Sequence, residues 1–97
     1  MQEFLYLCTP TRETFLEDAT ESELAVVDQH LDYLKGLLST GRLILAGRCE
    51  DGPPGIVVFE AENADTATSV MQNDPAVRAG VFTAELRPYR VALLRGR

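Results

Sequence analysis

The chain has one histidine, two cysteines and no tryptophan among its 97 residues. Each scarcity excludes something. Cys8 and Cys49 are too few for a disulfide framework and lack close metal-ligand spacing. One histidine with scattered carboxylates is a poor metal set, because catalytic zinc usually takes three protein ligands. No metal and no cofactor is therefore expected, unless two copies combine their ligands. No apolar run approaches the roughly 20 residues needed to span a bilayer. The start, Met1-Gln2-Glu3, lacks the basic residues and apolar core of a signal peptide. Cations are also scarce: 9 Lys and Arg stand against 15 Asp and Glu, a formal charge of −6. Such a surface repels phosphate backbones and anionic bilayers, so neither nucleic acid nor membrane is an expected partner. The expectation is a single cytoplasmic domain spanning residues 1–97.

What is present is well organised. Phe4-Leu5-Tyr6-Leu7-Cys8 reads as a buried strand, followed by a polar stretch from Thr9 to Thr20 with Pro10 as a breaker. Thr20-Glu21-Ser22-Glu23 has the form of a capping box. A helix then runs to about Thr40, with Gly41 as its left-handed stop. Leu24, Val27, Leu31, Leu34 and Leu38 make one apolar stripe. Leu43–Ala46 and Ile56–Phe59 are two further strands, joined by the turn-rich Asp51-Gly52-Pro53-Pro54-Gly55. A second helix spans about Ala64 to Gln72 with Asn63 as N-cap, and Asp74-Pro75 ends it. A short turn from Pro75 to Ala79 closes at Gly80. The last strand covers about Phe82 to Leu94, and Pro88 within it argues for an edge position or a bulge. This is an α+β order, the ferredoxin-like βαββαβ arrangement with an antiparallel four-stranded sheet.

Two helices cover one face of such a sheet. The first three strands carry apolar residues at successive positions, so the other face is apolar too, where a wet face should be polar. Covering several hundred Å² at about 25 cal/mol per Å² contributes on the order of 10 kcal/mol before association costs. A homodimer packed through its sheet faces is expected; the alternative is a monomer whose terminal strand or early loop folds across.

The chemistry centres on His30 and Asp74. Histidine alone has an unperturbed pKa near neutrality. At about 100° per residue His30 lies roughly 60° from the centre of the leucine stripe, at the border of the buried face. An aspartate on one imidazole nitrogen fixes the tautomer and leaves the other to take or give a proton. A packed histidine with a satisfied hydrogen bond, and an Asp-Pro that only caps a helix, explain the same residues.

Four stretches carry a resemblance: His30-Leu31-Asp32-Tyr33-Leu34, Gly41-Arg42-Leu43-Ile44-Leu45-Ala46-Gly47, Asn73-Asp74-Pro75 and Arg87-Pro88-Tyr89. In these the chain resembles the YciI-like proteins, small dimeric α+β barrels built from ferredoxin-like subunits. They are similar in fold to muconolactone isomerases and small haem-free monooxygenases. The resemblance implies catalytic roles for His30 and Asp74, and a small organic molecule as substrate. One relative is implicated in removing halide from a chlorinated aromatic intermediate. Proton abstraction next to a carbonyl, or elimination from a small ring, is the implied chemistry. A noncatalytic ligand-binding or accessory module is the rival reading, and a cofactor-free oxygenase a third by fold analogy alone. Arg48 departs from the pattern, standing where many relatives carry proline after the glycine.

Other residues are open at this stage. Tyr6 and Tyr33 line a pocket or pack in the core. Arg87, Arg90, Arg95 and Arg97 make the tail basic, and Arg48 joins them as an anchor for an anion or as a solvated edge charge. Both thiols are expected to be buried or shielded. Glu13, Glu17, Asp18, Glu21 and Glu23 read as a solvated acidic surface that suits the positive end of the first helix.

Overall fold

A computed structural model describes all residues from Met1 to Arg97. Strands β1 (Gln2–Pro10), β2 (Leu43–Arg48), β3 (Gly55–Ala61) and β4 (Phe82–Pro88) form one antiparallel sheet in the order β2-β3-β1-β4. Helices α1 (Phe15–Asp18), α2 (Glu21–Ser39), α3 (Ala64–Gln72) and α4 (Pro75–Arg78) complete the chain. The architecture is the expected α+β, ferredoxin-like one. No helix is long and apolar enough to cross a membrane.

The caps act as the residue types dictate. Thr20 Oγ1 accepts the Glu23 amide at 3.1 Å while Glu23 Oε1 accepts the Thr20 amide at 2.8 Å, which satisfies two orphan donors reciprocally. At the far end Gly41 has φ +80°, and the Arg42 and Gly41 amides donate to the carbonyls of Leu37 and Leu38. That pair of bonds is a Schellman stop, which needs a residue tolerant of positive φ. Asn63 Oδ1 accepts the Thr66 amide at 2.8 Å at the head of α3.

Alternation along β1 sends Phe4, Tyr6 and Cys8 to the helix side, where they meet Val57, Phe59 and Ala61 of β3 beneath Leu34 and Ala67. Tyr6 and Phe59 pack edge-on, 5.7 Å apart. Leu5, Leu7, Ile56 and Val58 occupy the opposite, helix-free face.

Four expectations need correction. The polar stretch after β1 holds a helical turn, α1, because Phe15 is buried and packs edge-on to Phe82, 5.8 Å away. The last strand stops at Pro88 rather than near Leu94: proline has no N–H for the ladder, and its partner strand begins only two residues beyond the pairing Phe4↔Pro88. The tail is then tied to Glu3, which accepts the Val91 amide at 2.8 Å and Arg97 at 3.0 Å. β4 is an edge strand, as Pro88 suggested. Cys49 is exposed because it lies past the end of β2, although Cys8 is buried.

The fourth correction concerns α2. Leu24, Leu31 and Leu38 are each about half exposed. The residues turned to the sheet are Val26, Val27, His30, Tyr33, Leu34 and Leu37, so His30 is at the centre of the packed face and not at its border. A stripe of leucines misplaces the face because it ignores two polar side chains with partners far along the chain. One of them is Tyr33, whose hydroxyl donates to the Val70 carbonyl at 2.7 Å.

Candidate active site

Asp74 is fully buried and caps α4, with Oδ1 accepting the Ala76 amide at 3.0 Å and Pro75 in the first helical position. The same carboxylate receives His30 Nδ1, 2.8 Å from Oδ1 and 2.7 Å from Oδ2. Tyr6 completes the set by donating its hydroxyl to Oδ2 at 2.7 Å. Three elements thus converge: α2 brings the imidazole, β1 the phenol, and the α3–α4 junction the carboxylate. The sequence leaves Tyr6 open between core and pocket. Its parity with Phe4 and Cys8 was the available signal, since a phenol on the buried face needs an acceptor.

The geometry determines what each group can do. A buried carboxylate is costly unless its lone pairs are engaged, and here three donors engage them. Burial, with the adjacent Asp74 charge, drives the Tyr6 hydroxyl far above its ordinary range, so it remains a donor. An acceptor-only carboxylate on Nδ1 requires the proton there, which leaves Nε2 with the lone pair. His30 keeps about 15% of its side-chain exposure and lines a cavity of about 760 Å³. Phe82 meets the imidazole edge-on at 5.5 Å and is itself braced by Phe15.

The cavity lies between α1, the N-terminal half of α2 and the β2–β3 hairpin, and most of its lining is hydrophobic. Its sheet side includes the small residues Ala46, Gly47 and Gly55, and Gly55 pairs with Cys8 on one side and with Arg48 on the other. A Cβ on Gly55 would meet nothing closer than 3.7 Å. The half-exposed Leu16, Leu24 and Leu31 belong to the rim of this cavity. No group of three or more His, Cys, Asp or Glu side chains converges into a metal-ligand set.

The family pattern of the YCII-related domain matches residues 3–89. The chain belongs to the YCII-related domain family. No curated protein matches it. Solved structures similar to it include the 5-chloro-2-hydroxyhydroquinone dehydrochlorinase of Burkholderia phenoliruptrix in complex with 2,5-dihydroxybenzoquinone. That chain is 20% identical, with a TM-score of 0.70 over 91% of the present chain and 93% of its own. The likeness shows a shared fold.

Other residues of this YCII-related chain are placed as follows. Arg48 lines the cavity, whereas Arg87 is exposed and Arg97 is paired with Glu3. Burial and the nearby Asp74 charge push the Cys8 thiol up to about 12, which makes it a poor nucleophile although it touches the cavity. Asp18 and Glu23, expected as solvated acids, clamp Arg12 at 3.0 and 2.8 Å and fasten α1 to the start of α2.

Proposed function

We propose that this chain is an acid-base enzyme acting on a small hydroxylated or halogenated ring, with His30 Nε2 as the proton acceptor and donor. The observation that carries the reading is one imidazole joining two environments. Its Nδ1 is fixed by a fully buried carboxylate, and the ring lines a mostly apolar cavity large enough for a small aromatic molecule. Asp74 holds the tautomer and stabilises the imidazolium formed when Nε2 takes a proton. Tyr6 and the Ala76 amide keep that carboxylate from rotating.

In an elimination of hydrogen halide, Nε2 removes a ring or hydroxyl proton. On a hydroxylated aryl halide that proton first returns to the halogen-bearing carbon to give a keto tautomer; loss of a second hydroxyl proton then forms the new C=O and C=C bonds, and the carbon–halogen pair departs as halide. In an isomerisation the same proton returns at another atom. The fold shared with a dehydrochlorinase is consistent with the first. The test is halide release, or solvent-deuterium incorporation, from chlorinated dihydroxybenzenes by the parent and by His30→Gln. Loss of about 10²-fold or more in turnover, with ligand affinity kept, is expected of a general base. Binding without turnover in the parent would favour a noncatalytic module, in which the His30–Asp74 contact serves to hold α2 against α4.

The same reading includes a homodimer joined through the helix-free sheet face. Leu5, Leu7, Ile56 and Val58 lie on that face, and Leu45 beside them is 44% exposed.

A further inference from the structure

The cavity has one permanent cation. Arg48 is the only lysine or arginine among its lining residues, in a chain whose net charge is −6. Its position follows from strand register. Arg48 pairs with Gly55, which pairs in turn with Cys8, and Cys8 is buried on the helix side. Alternation therefore directs the Arg48 side chain to the helix side of the sheet, the side from which α2 presents His30. Because Gly55 has no side chain, nothing on the neighbouring strand shields the guanidinium stem from the cavity.

Arg48 is also uncommitted. Arg12, Arg42 and Arg97 all hold carboxylates at 3.0 Å or less. The Arg48 side chain makes no hydrogen bond or ion pair, although Glu50 and Asp51 line the same rim. A planar guanidinium offers paired N–H donors that match a carboxylate or phenolate, and its charge survives at any working pH. Glu50 and Asp51 line the same cavity, and Arg48 is its one permanently cationic contact for a charged substituent.

We infer that Arg48 is a specificity-determining residue that selects ring substrates bearing an anionic group and orients them with that group at the end of β2 and the ring toward His30. The inference rests on the cavity being the substrate site, and it deepens the acid-base reading by naming the substrate's charge. Arg48 binds and orients, and takes no part in proton transfer.

The experiment compares 2,5-dihydroxybenzoate with 2,5-dihydroxybenzamide, rings of similar shape that differ in charge. Binding is read by isothermal titration calorimetry on the full chain, with no turnover required. The parent is expected to prefer the acid by about ten-fold or more, the advantage of a charge-assisted bidentate contact over a neutral one. Arg48→Gln should bring the two affinities within about two-fold, and Arg48→Lys should recover part of the preference, since an ammonium is a point charge without the fork. Glu50→Gln should tighten the acid alone. The preference should persist in His30→Gln. An equal affinity in the parent, or a preference unchanged by Arg48→Gln, overturns the assignment. So does a preference abolished by His30→Gln but kept in Arg48→Gln, because the anion would then be sitting on the imidazole. Failure of the acid-base reading appears separately, as absence of halide release or deuterium incorporation in a parent that still discriminates the two rings.

Discussion

Tyr6 and Ala76 each give a hydrogen to Asp74, and His30 Nδ1 bridges both of its oxygens. Removing one donor leaves a buried acceptor underused. Tyr6→Phe should therefore cost about 1–3 kcal/mol, read as a lower urea midpoint with an unchanged slope. An unaltered midpoint would mean that the phenol contributes no support. His30→Gln should also destabilise, since it withdraws the donor that bridges α2 and α4. Two thiols of opposite exposure give a second check. With Cys8 buried and pushed up to about 12, and Cys49 exposed, a thiol reagent at pH 8 should titrate one equivalent in the native protein and two in denaturant. Two fast equivalents in native buffer would contradict the burial of Cys8. The pair His30–Asp74 was legible because His30 is the sole histidine and because its stretch and Asn73-Asp74-Pro75 both resemble the YciI-like proteins. For Tyr6 the sequence leaves pocket and core both open, since strand parity gives a face and not a partner.

The elements were legible wherever a local rule sets the end. The capping box of Thr20 and Glu23, the positive φ of Gly41, the Asn63 cap and the Asp74-Pro75 start of α4 all appear where residue chemistry places them. Features set by tertiary packing were not legible. The rotation of α2 depends on polar groups finding buried partners 37 and 44 residues away, Tyr33 with Val70 and His30 with Asp74, which a hydrophobic stripe cannot register. α1 is four residues long and is held by Phe15 against Phe82 and by the Arg12 clamp. That clamp has a defined pH dependence. The Arg12 hydrogen bonds, then the Thr20 amide, hold Glu23 at about 2, below its ordinary 4.5. A depressed carboxylate contributes fully above its unfolded value and loses its contribution as pH falls through the folded one. Amide protection at Glu17 and Asp18, corrected for intrinsic rate, should thus hold at pH 5 and fall toward pH 2. Arg12→Gln should already lack it at pH 7. Protection independent of both would show that Phe15 alone holds the turn.

At the scale of the whole molecule the core is thin: 12 of 97 residues are buried, and on the helix-free face Val58 is buried, Leu5, Leu7 and Ile56 are half-buried and Leu45 is 44% exposed. Sedimentation should give a mass near twice the chain's 10.7 kDa, and Leu7→Lys should shift it toward the monomer. A parent that sediments as a monomer at micromolar concentration would remove the sheet-to-sheet dimer. Filling the cavity tests the site without touching its chemistry. A Cβ at Gly55 meets only ordinary contacts, so Gly55→Ala should fold and weaken ring binding by about two-fold or more, as steric exclusion requires. The central claim, that Asp74 fixes the imidazole so that Nε2 is a base toward the cavity, has one direct measurement. It is ¹⁵N–¹H correlation of the sole histidine ring at a pH where the ring is neutral, in the parent and in Asp74→Asn. The parent should show the Nδ1–H tautomer. In the variant the asparagine oxygen at the Oδ1 position accepts the Ala76 amide and stays within 2.8 Å of Nδ1, but a neutral amide holds Nδ1–H less firmly than a carboxylate and puts its NH₂ beside the ring, so the Nε2–H form should gain population. An Nε2–H tautomer in the parent, or one unchanged by the substitution, would contradict the account.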